Sequence, residues 1–380
     1  MSRYVSSTSA HLDTANPPQR EGNDIWGWTS KTGREFGVVG QDDGTAFVEV
    51  LKDGTLKYLG RLGPQTVNSI WRDVKVLGDF AYIGSEAEDH GLQIFDLKKL
   101  LKLKPNAKPT TFSTTTDISH FAGFGSSHNL VVSESSNTVI AVGSKLCNGG
   151  LFFVDVNDPL NPKDAGCAAE DGYVHDAQCT VYKGPDREHR GKEICFGYNE
   201  DTLTIYDITT KSAPTIISRT PYAGAAYSHQ GWIANDEQTY LLLDDELDEV
   251  ENTAPGGNDR TTTYVWDIKK LSAPVNTGLY KGQAKSIDHN QYVLKGLTYQ
   301  ANYGSGLRVV DISSVAKKPD GSKFKEVGYF DCYPEDDEDK DADTNQFYGT
   351  WSVYPYFKSG YLLLNSIERG VFALKYTGKK

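Results

Sequence analysis

The chain has 380 residues, 38% hydrophobic and 11% aromatic, which is enough for the core of one large domain or two ordinary ones. Its formal net charge of -12 opposes binding to a phosphate backbone, so nucleic acid is not an expected partner. No run approaches roughly 18 consecutive apolar residues, which excludes a membrane-spanning helix. The 37 glycines and 22 tyrosines favour turns and strands over helices.

Taken in order, the chain repeats one short pattern seven times: a polar residue, then an acid or amide, then an apolar strand. The polar residue is histidine in four copies, and the last copy has tryptophan in place of the acid or amide. The copies start at Asn23-Asp24, Arg72-Asp73, His128-Asn129, His175-Asp176, His229-Gln230, His289-Asn290 and Thr350-Trp351. Their spacing of 47 to 61 residues is typical of a propeller blade or a solenoid repeat.

Each repeat continues with further strands. Second strands are expected at residues 80–84, 139–143, 193–197, 239–243 and 361–364. Third strands, which are apolar and end in a turn-forming aspartate, are expected at residues 91–97, 150–156, 203–208, 264–268 and 306–312. With a shorter fourth strand, as at residues 326–330, this predicts an all-β, seven-bladed β-propeller. A solenoid is the competing fold, but it would need end caps and shorter repeats.

The ends of the chain are expected to meet in the last blade. The seventh repeat finishes on its third strand at Tyr376, which leaves almost no chain for a fourth. We therefore expect residues 1–23 to complete this blade with an N-terminal strand, residues 24–376 to form the propeller, and residues 377–380 to be a tail.

The five cysteines contain no Cys-x-x-Cys pair, which argues against a thiolate zinc site. In an oxidising compartment, the local pairings Cys147 with Cys167 and Cys179 with Cys195 are expected, with Cys332 left free. In a reducing compartment, all five would be buried thiols.

An acidic segment precedes the last repeat. Its alternating aspartates are Asp337, Asp339, Asp341 and Asp343. This spacing raises the question of a calcium site, but the segment lacks the glycine and terminal glutamate of an EF-hand loop. A solvated acidic loop is the preferred interpretation.

The third-strand sequence Leu307-Arg308-Val309-Val310-Asp311 resembles the LVIVD repeat. Longer segments are similar to the choice-of-anchor B family, at residues 71–76, 172–179, 199–205, 229–232, 299–303 and 351–356. Members of this family are mostly predicted to be extracellular or surface-anchored, so the resemblance implies a secreted or cell-surface location and supports the disulfide pairings. It implies no established activity. With no anchor visible after Tyr376, it implies a soluble member, which we expect to be a monomer.

The first strand of a propeller blade lines the central axis, and its start shares a face with the loop between the second and third strands. On this basis four histidines gather at one face of the ring: His128, His175, His229 and His289. Neutral imidazole is the commonest metal ligand, so we expect these four to bind a divalent metal ion. Acids of the same face would fix the ring tautomers, and they are Glu86, Glu200, Asp245, Glu246 and Glu368.

Two classes of function stay open. In the first, the protein is a metal-dependent lyase or hydrolase acting on an acidic polysaccharide, a substrate suggested by fold-level analogy with propeller polysaccharide lyases. Catalytic roles would fall to His175 and His229, with Arg72 or Arg308 neutralising a substrate carboxylate. In the second, the propeller is a non-catalytic binding or scaffolding module for a small molecule or glycan, and its histidines are structural. Most tryptophans belong to the core, although Trp71, Trp232 and Trp351 lie near the axis and could stack on a sugar.

Overall fold

The computed structural model of the protein describes residues 5–7, 20–257, 259–335 and 345–378. Seven antiparallel sheets surround a central channel, and the innermost strand of each contacts the innermost strand of the next. The prediction of an all-β, seven-bladed propeller is confirmed. The alternating aspartates Asp337, Asp339, Asp341 and Asp343 lie outside the described residues.

The first described strand is β1 (Val5–Ser7), and the first blade follows as β2 (Gly22–Thr29), β3 (Glu35–Gln41), β4 (Gly44–Val50) and β5 (Leu56–Leu62). The second blade begins with β6 (Val74–Leu77), β7 (Phe80–Ile83) and β8 (Leu92–Asp96). A connection with α1 (Lys98–Leu101) and β9 (Thr110–Phe112) then leads to its outer strand, β10 (Ile118–Phe121). Because β9 pairs in parallel with β5, this connection adds a fifth strand to the first blade, a departure from four strands per repeat.

The remaining blades follow the chain without interruption. The third contains β11 (Asn129–Ser133), β12 (Thr138–Val142), β13 (Leu151–Asp155) and β14 (Lys163–Ala168), and the fourth β15 (Asp176–Val181), β16 (Glu193–Tyr198), β17 (Thr202–Asp207) and β18 (Thr215–Pro221). The fifth contains β19 (Ser228–Ile233), β20 (Tyr240–Asp245), β21 (Arg260–Asp267) and β22 (Val275–Lys285). The sixth contains β23 (Asn290–Leu294), β24 (Leu297–Ala301), β25 (Leu307–Asp311) and β26 (Lys325–Phe330), and the seventh β27 (Thr350–Tyr354), β28 (Tyr361–Ser366) and β29 (Gly370–Tyr376).

The seventh blade takes its outer strand from the other end of the chain. β1 pairs antiparallel with β29, with Val5 opposite Tyr376 and Ser7 opposite Leu374.

The aspartate that ends the third strand has the same role in five blades. In each case its Oδ1 accepts a hydrogen bond from the backbone N–H two residues later, the arrangement of an Asx turn. The five bonds are Asp96 to Lys98, Asp155 to Asn157, Asp207 to Thr209, Asp267 to Lys269 and Asp311 to Ser313. The aspartate at the end of the repeat motif is therefore explained by the turn that follows the third strand.

Apolar side chains from facing blades pack into clusters between them. Between the first two blades, the Phe47 and Phe95 rings stack with centroids 4.5 Å apart, and Phe112 of β9 packs edge-on against both. The added fifth strand therefore covers this cluster, which explains why the connection crosses to the neighbouring blade.

Polar residues of the inner strands tie each blade to the next. Asp24 accepts a hydrogen bond from the Val74 N–H (3.1 Å), and Asp73 accepts one from Leu130 (2.6 Å). Lys75 lies between the two carboxylates, with its Nζ 3.0 Å from an oxygen of Asp24 and 2.8 Å from one of Asp73. Burial alone would lower the pKa of Lys75, but these carboxylates hold it well above its ordinary value.

Both predicted disulfides are present, and they lie in neighbouring blades. Cys147 pairs with Cys167, and Cys179 pairs with Cys195, its direct partner across β15 and β16. Cys332 is a buried free thiol. Among the described residues, no helix is long and apolar enough to cross a membrane.

Candidate metal centre in the central channel

The four histidines of the repeat meet at one end of the channel. Each precedes, begins or lies within the first two residues of an inner strand, from β11 to β23, so the same register brings each ring to the axis. They line a cavity of about 580 Å³ with Glu86, Glu246 and several aromatic side chains. The ring centroids of successive histidines are 4.3, 3.9 and 4.4 Å apart, in the order His128, His175, His229 and His289.

Three of these rings use one nitrogen to bind the next blade. Nδ1 of His175 donates to the carbonyl of His229 (2.8 Å), and Nδ1 of His229 donates to the carbonyl of His289 (3.0 Å). Nδ1 of His289 donates to the carbonyl of Trp351 (2.6 Å). A carbonyl only accepts, so the proton of each neutral ring is on Nδ1 and the lone pair is on Nε2. These three rings therefore join neighbouring blades through Nδ1, and Nε2 of His229 and of His289 stays available.

His128 is arranged differently. Its Nε2 lies 2.7 Å from Nε2 of His175, which carries a lone pair, so His128 donates in this contact. Its Nδ1 lies 2.5 Å from Oε1 of Glu86. Both nitrogens of His128 are therefore engaged, one with an acid and one with a second imidazole.

Glu246 faces the last two histidines. One of its oxygens lies 3.7 Å from Nε2 of His229 and the other lies 3.8 Å from Nε2 of His289. The Tyr303 hydroxyl donates to Glu246 at 2.6 Å and so orients the carboxylate. The three side chains place one ligand atom each within 4.8 Å of the others, which is a geometry that a metal ion can bridge.

Burial sets the charge of these groups. It lowers the pKa of His289 to about 3 and the pKa values of His175 and His229 well below their ordinary range, so the three rings are neutral at physiological pH. Burial also raises the pKa of Glu246 to about 7, against the hydrogen bond from Tyr303, which lowers it. A carboxyl group with a pKa near 7 loses its proton readily when a cation binds beside it.

Known proteins resemble this chain mainly in fold. Residues 71–97 match the LVIVD repeat family. No curated protein matches the chain. The β-propeller domain of Cps50 (Swd1) from Myceliophteria thermophila is similar in structure, with a TM-score of 0.56 and 12% identity over 94% of this chain and 96% of that one. The computationally designed Ika8 protein has a TM-score of 0.51 and 11% identity, over 93% and 83% of the two chains. At such identities these likenesses show the propeller fold alone.

The two arginines considered for catalysis do not line the cavity of the histidines. Arg72 is buried, with Nε donating to the carbonyl of Gln41 (2.9 Å) and Nη1 donating to Nε2 of His90 (2.9 Å). Arg308 lies on β25, the third strand of its blade, where Nε donates to the carbonyl of Ser305 and Nη1 lies 3.7 Å from Glu326. Both guanidinium groups thus have partners inside the protein.

Of the five acids expected on this face, Glu86, Glu246 and Glu368 line the cavity. Asp245 instead accepts hydrogen bonds from the Tyr222 hydroxyl and from the N–H groups of Ala226 and Tyr227, so it orders the loop before β19. Sequence reasoning missed the tyrosines of the cavity, which are Tyr173, Tyr227 and Tyr303. Two of them stand two residues before a histidine, and this Tyr-x-His spacing was the available signal.

Proposed function

We propose that the protein binds one divalent transition-metal ion through Nε2 of His229, Nε2 of His289 and the carboxylate of Glu246. The observation that carries the proposal is the fixed tautomer, because the bond from Nδ1 to the next blade leaves the Nε2 lone pair free in a polar cavity. Metal-binding histidines commonly donate their other N–H to a backbone carbonyl in this way. His175 and His128 complete the polar surroundings of the ion.

The distances support an ion of the size of zinc. Zinc bonds of about 2.0–2.2 Å in tetrahedral geometry place ligand atoms roughly 3.3–3.5 Å apart. The separations of 3.7 and 3.8 Å between Glu246 and the two Nε2 atoms come within a small side-chain rotation of that value. Two imidazoles and one carboxylate suit zinc, iron or another transition metal better than calcium, which prefers six or more oxygen ligands.

Such a set leaves at least one coordination position open toward the cavity. An open position is typical of catalytic metal sites, where the ion binds water or substrate. We therefore keep metal-dependent catalysis as the first function, with the non-catalytic binding module as its alternative. The two disulfides support an oxidising, extracellular location.

An acidic polysaccharide has weaker support as the substrate of this cavity. Its lining contains four glutamates, and the described residues contribute no lysine or arginine to it. A uronate would therefore approach carboxylates with only the metal ion to neutralise it. The lining favours a cation at the centre and a neutral or cationic molecule above it.

The proposal is tested by titrating chelator-treated protein with Zn²⁺ in competition with a chromogenic chelator. We expect one equivalent to bind, and His229→Ala to weaken binding by at least about 100-fold, more than the loss typical of outer-shell changes. The matched control is His120→Ala, since His120 is exposed on β10, donates to the carbonyl of His90 and lies outside the lining of the histidine cavity. Equal zinc affinity in the wild type and His229→Ala, with both folded, would overturn the proposal.

A further inference from the structure

A second cavity opens at the other end of the channel. None of the residues that would hold the metal lines it. Its volume is about 880 Å³, against about 580 Å³ at the histidine end. Ligand pockets in proteins typically have volumes of roughly 300–1,000 Å³, so this cavity has room for a small organic ligand. Inner strands of all seven blades contribute to its lining.

One side of this cavity is aromatic. Tyr292 of β23 lies at its centre, with its ring 5.4 Å from that of Trp26 and 5.0 Å from that of Trp232, both in edge-to-face contact. Tyr356 adds a further ring, 6.4 Å from Trp26. Trp26, Trp232 and Tyr356 are partly exposed, while Tyr292 is buried behind them. Mutual edge contacts hold these rings in place and leave apolar surface turned to the cavity.

The opposite side of the cavity is polar and comes from the third and fourth blades. Ser135 is exposed two residues after the end of β11, and Gln178 and Thr180 are partly exposed on β15. Gln178 uses its amide oxygen to accept the Ile233 N–H (2.7 Å), which fixes the side chain and leaves its NH₂ group as a donor. The wall therefore presents hydroxyl and amide groups, and its two exposed charged side chains, Glu134 and Lys183, are of opposite sign.

The charged groups at the floor neutralise one another. Lys75 donates to Asp24, to both oxygens of Asp73 and to the carbonyl of Val74, so its ammonium group has no hydrogen left for a ligand. Burial and the charge of Asp24 raise the pKa of Asp73 well above its ordinary value, so the cluster favours one positive and one negative charge. A phosphate or uronate would find no unpaired cation at this floor.

We propose that this cavity binds a neutral saccharide. A pyranose ring has an apolar C–H face, which suits the partly exposed rings of Trp26, Trp232 and Tyr356, and an edge of hydroxyl groups, which suits the side chains of Gln178 and Thr180. A purely apolar ligand would leave the polar wall unsatisfied. An anion would find the Lys75 ammonium already paired and the charge of Lys183 offset by that of Glu134 in the same lining. Because aromatic residues line one side of the cavity and polar residues line the other, the cavity favours a ligand with one apolar face and one polar edge.

The test is calorimetric titration of the full chain with four tetrasaccharides: β-1,4-glucan, α-1,4-glucan, β-1,4-mannan and, as the charged comparator, α-1,4-galacturonan. We expect at least one neutral tetrasaccharide to bind and to change tryptophan fluorescence, and the galacturonan not to bind. Trp232→Ala should weaken binding roughly tenfold or more. The matched control is Trp71→Ala, because Trp71 is 41% exposed and lines the histidine cavity instead.

A second variant covers the case in which Trp232→Ala fails to fold. Thr180→Val removes a hydroxyl with little change of shape and should weaken saccharide binding roughly threefold to tenfold. The proposal is wrong if no neutral tetrasaccharide binds, if the galacturonan binds in preference, or if binding is lost in Trp71→Ala but kept in Thr180→Val. Zinc affinity is measured separately, so this result does not depend on the metal proposal.

Discussion

The two ends of the central channel are built from the same seven inner strands, yet they differ completely in chemistry. His175 immediately precedes β15 and lines the histidine cavity, and Asp176, the first residue of β15, lines the aromatic cavity. The boundary between the two cavities therefore falls between two adjacent residues of the repeat.

The ends also differ in how their polar groups are satisfied. At the histidine end, Nε2 of His229 and Nε2 of His289 take part in no hydrogen bond with the described residues, and they lie 3.7 and 3.8 Å from the Glu246 oxygens. At the aromatic end, Lys75 is surrounded by acceptors. The imidazole and carboxylate groups at the histidine end therefore favour binding of a cation. The ammonium group of Lys75 at the aromatic end already has its acceptors within the protein.

Replacing the central cation of the aromatic end should be the most damaging change. Lys75→Met leaves a buried carboxylate without its partner, which typically costs about 3–5 kcal/mol of unfolding free energy. Urea denaturation measures the loss. The control is Lys99→Met, whose ion pair with Asp117 is partly exposed and is expected to contribute about 1 kcal/mol or less. Similar losses in both variants would contradict the account of a self-neutralised floor.

Glu246 should make metal binding depend on pH. Its pKa of about 7 in the metal-free protein means that below pH 7 a metal ion must displace a proton. Zinc affinity should therefore fall about tenfold per pH unit below 7 and level off above it, because the pKa of His289, about 3, is too low to contribute. Competition titrations between about pH 5.5 and 8.5, roughly one and a half units either side of this pKa, measure the slope.

Glu246→Gln should remove that slope and weaken zinc binding at pH 7.5, a pH about half a unit above the pKa of Glu246. Glutamine keeps the acceptor for Tyr303 but cannot ionise. A variant that kept the wild-type pH profile would show that another group titrates.

Two adjacent residues, His175 before β15 and Asp176 at its start, should separate the two ends. His175→Ala is expected to weaken zinc binding by roughly 10- to 100-fold, as for a group in contact with the ligands, since its ring lies 3.9 Å from that of His229. Asp176→Asn should leave zinc affinity within about twofold, because its side chain faces the other cavity. Equal effects of the two substitutions would argue that the channel is one site.

The smallest effect is expected from removing β1, the strand that completes the seventh blade and so closes the ring. Deleting residues 1–19 removes the partner of β29 and should lower the melting temperature by about 2–4 °C, equivalent to roughly 1 kcal/mol. Ser6→Pro, which removes a backbone donor within β1, should act in the same direction. An unchanged melting temperature after the deletion would mean that this pairing does not stabilise the ring.

The repeat explains why the fold could be predicted so fully. The polar pair at each blade start, the turn-forming aspartate such as Asp311, and the local cysteine pairs are all short-range signals that recur or lie close in sequence. The crossing of β9 to the first blade could not be predicted, because it depends on the packing of Phe112 against Phe47 and Phe95, which belong to two different blades. A contact of this kind leaves no period in the sequence.

The candidate site was predictable only in part for the same reason. Periodicity assembles the four histidines, but it does not reveal that Glu246, a loop residue, lies between His229 and His289. Nor does it show that Arg72, at the same register as the histidines, is turned toward Gln41 and His90. The chemistry of the site therefore depends on loops whose conformation is set by tertiary contacts.

The most direct test of the metal centre is an anomalous difference map from crystals of zinc-loaded protein, measured at the zinc absorption edge. We expect a single strong peak at about 2.0–2.2 Å from Nε2 of His229, Nε2 of His289 and a carboxylate oxygen of Glu246. Zinc-loaded crystals with no peak between these three side chains would contradict this expectation.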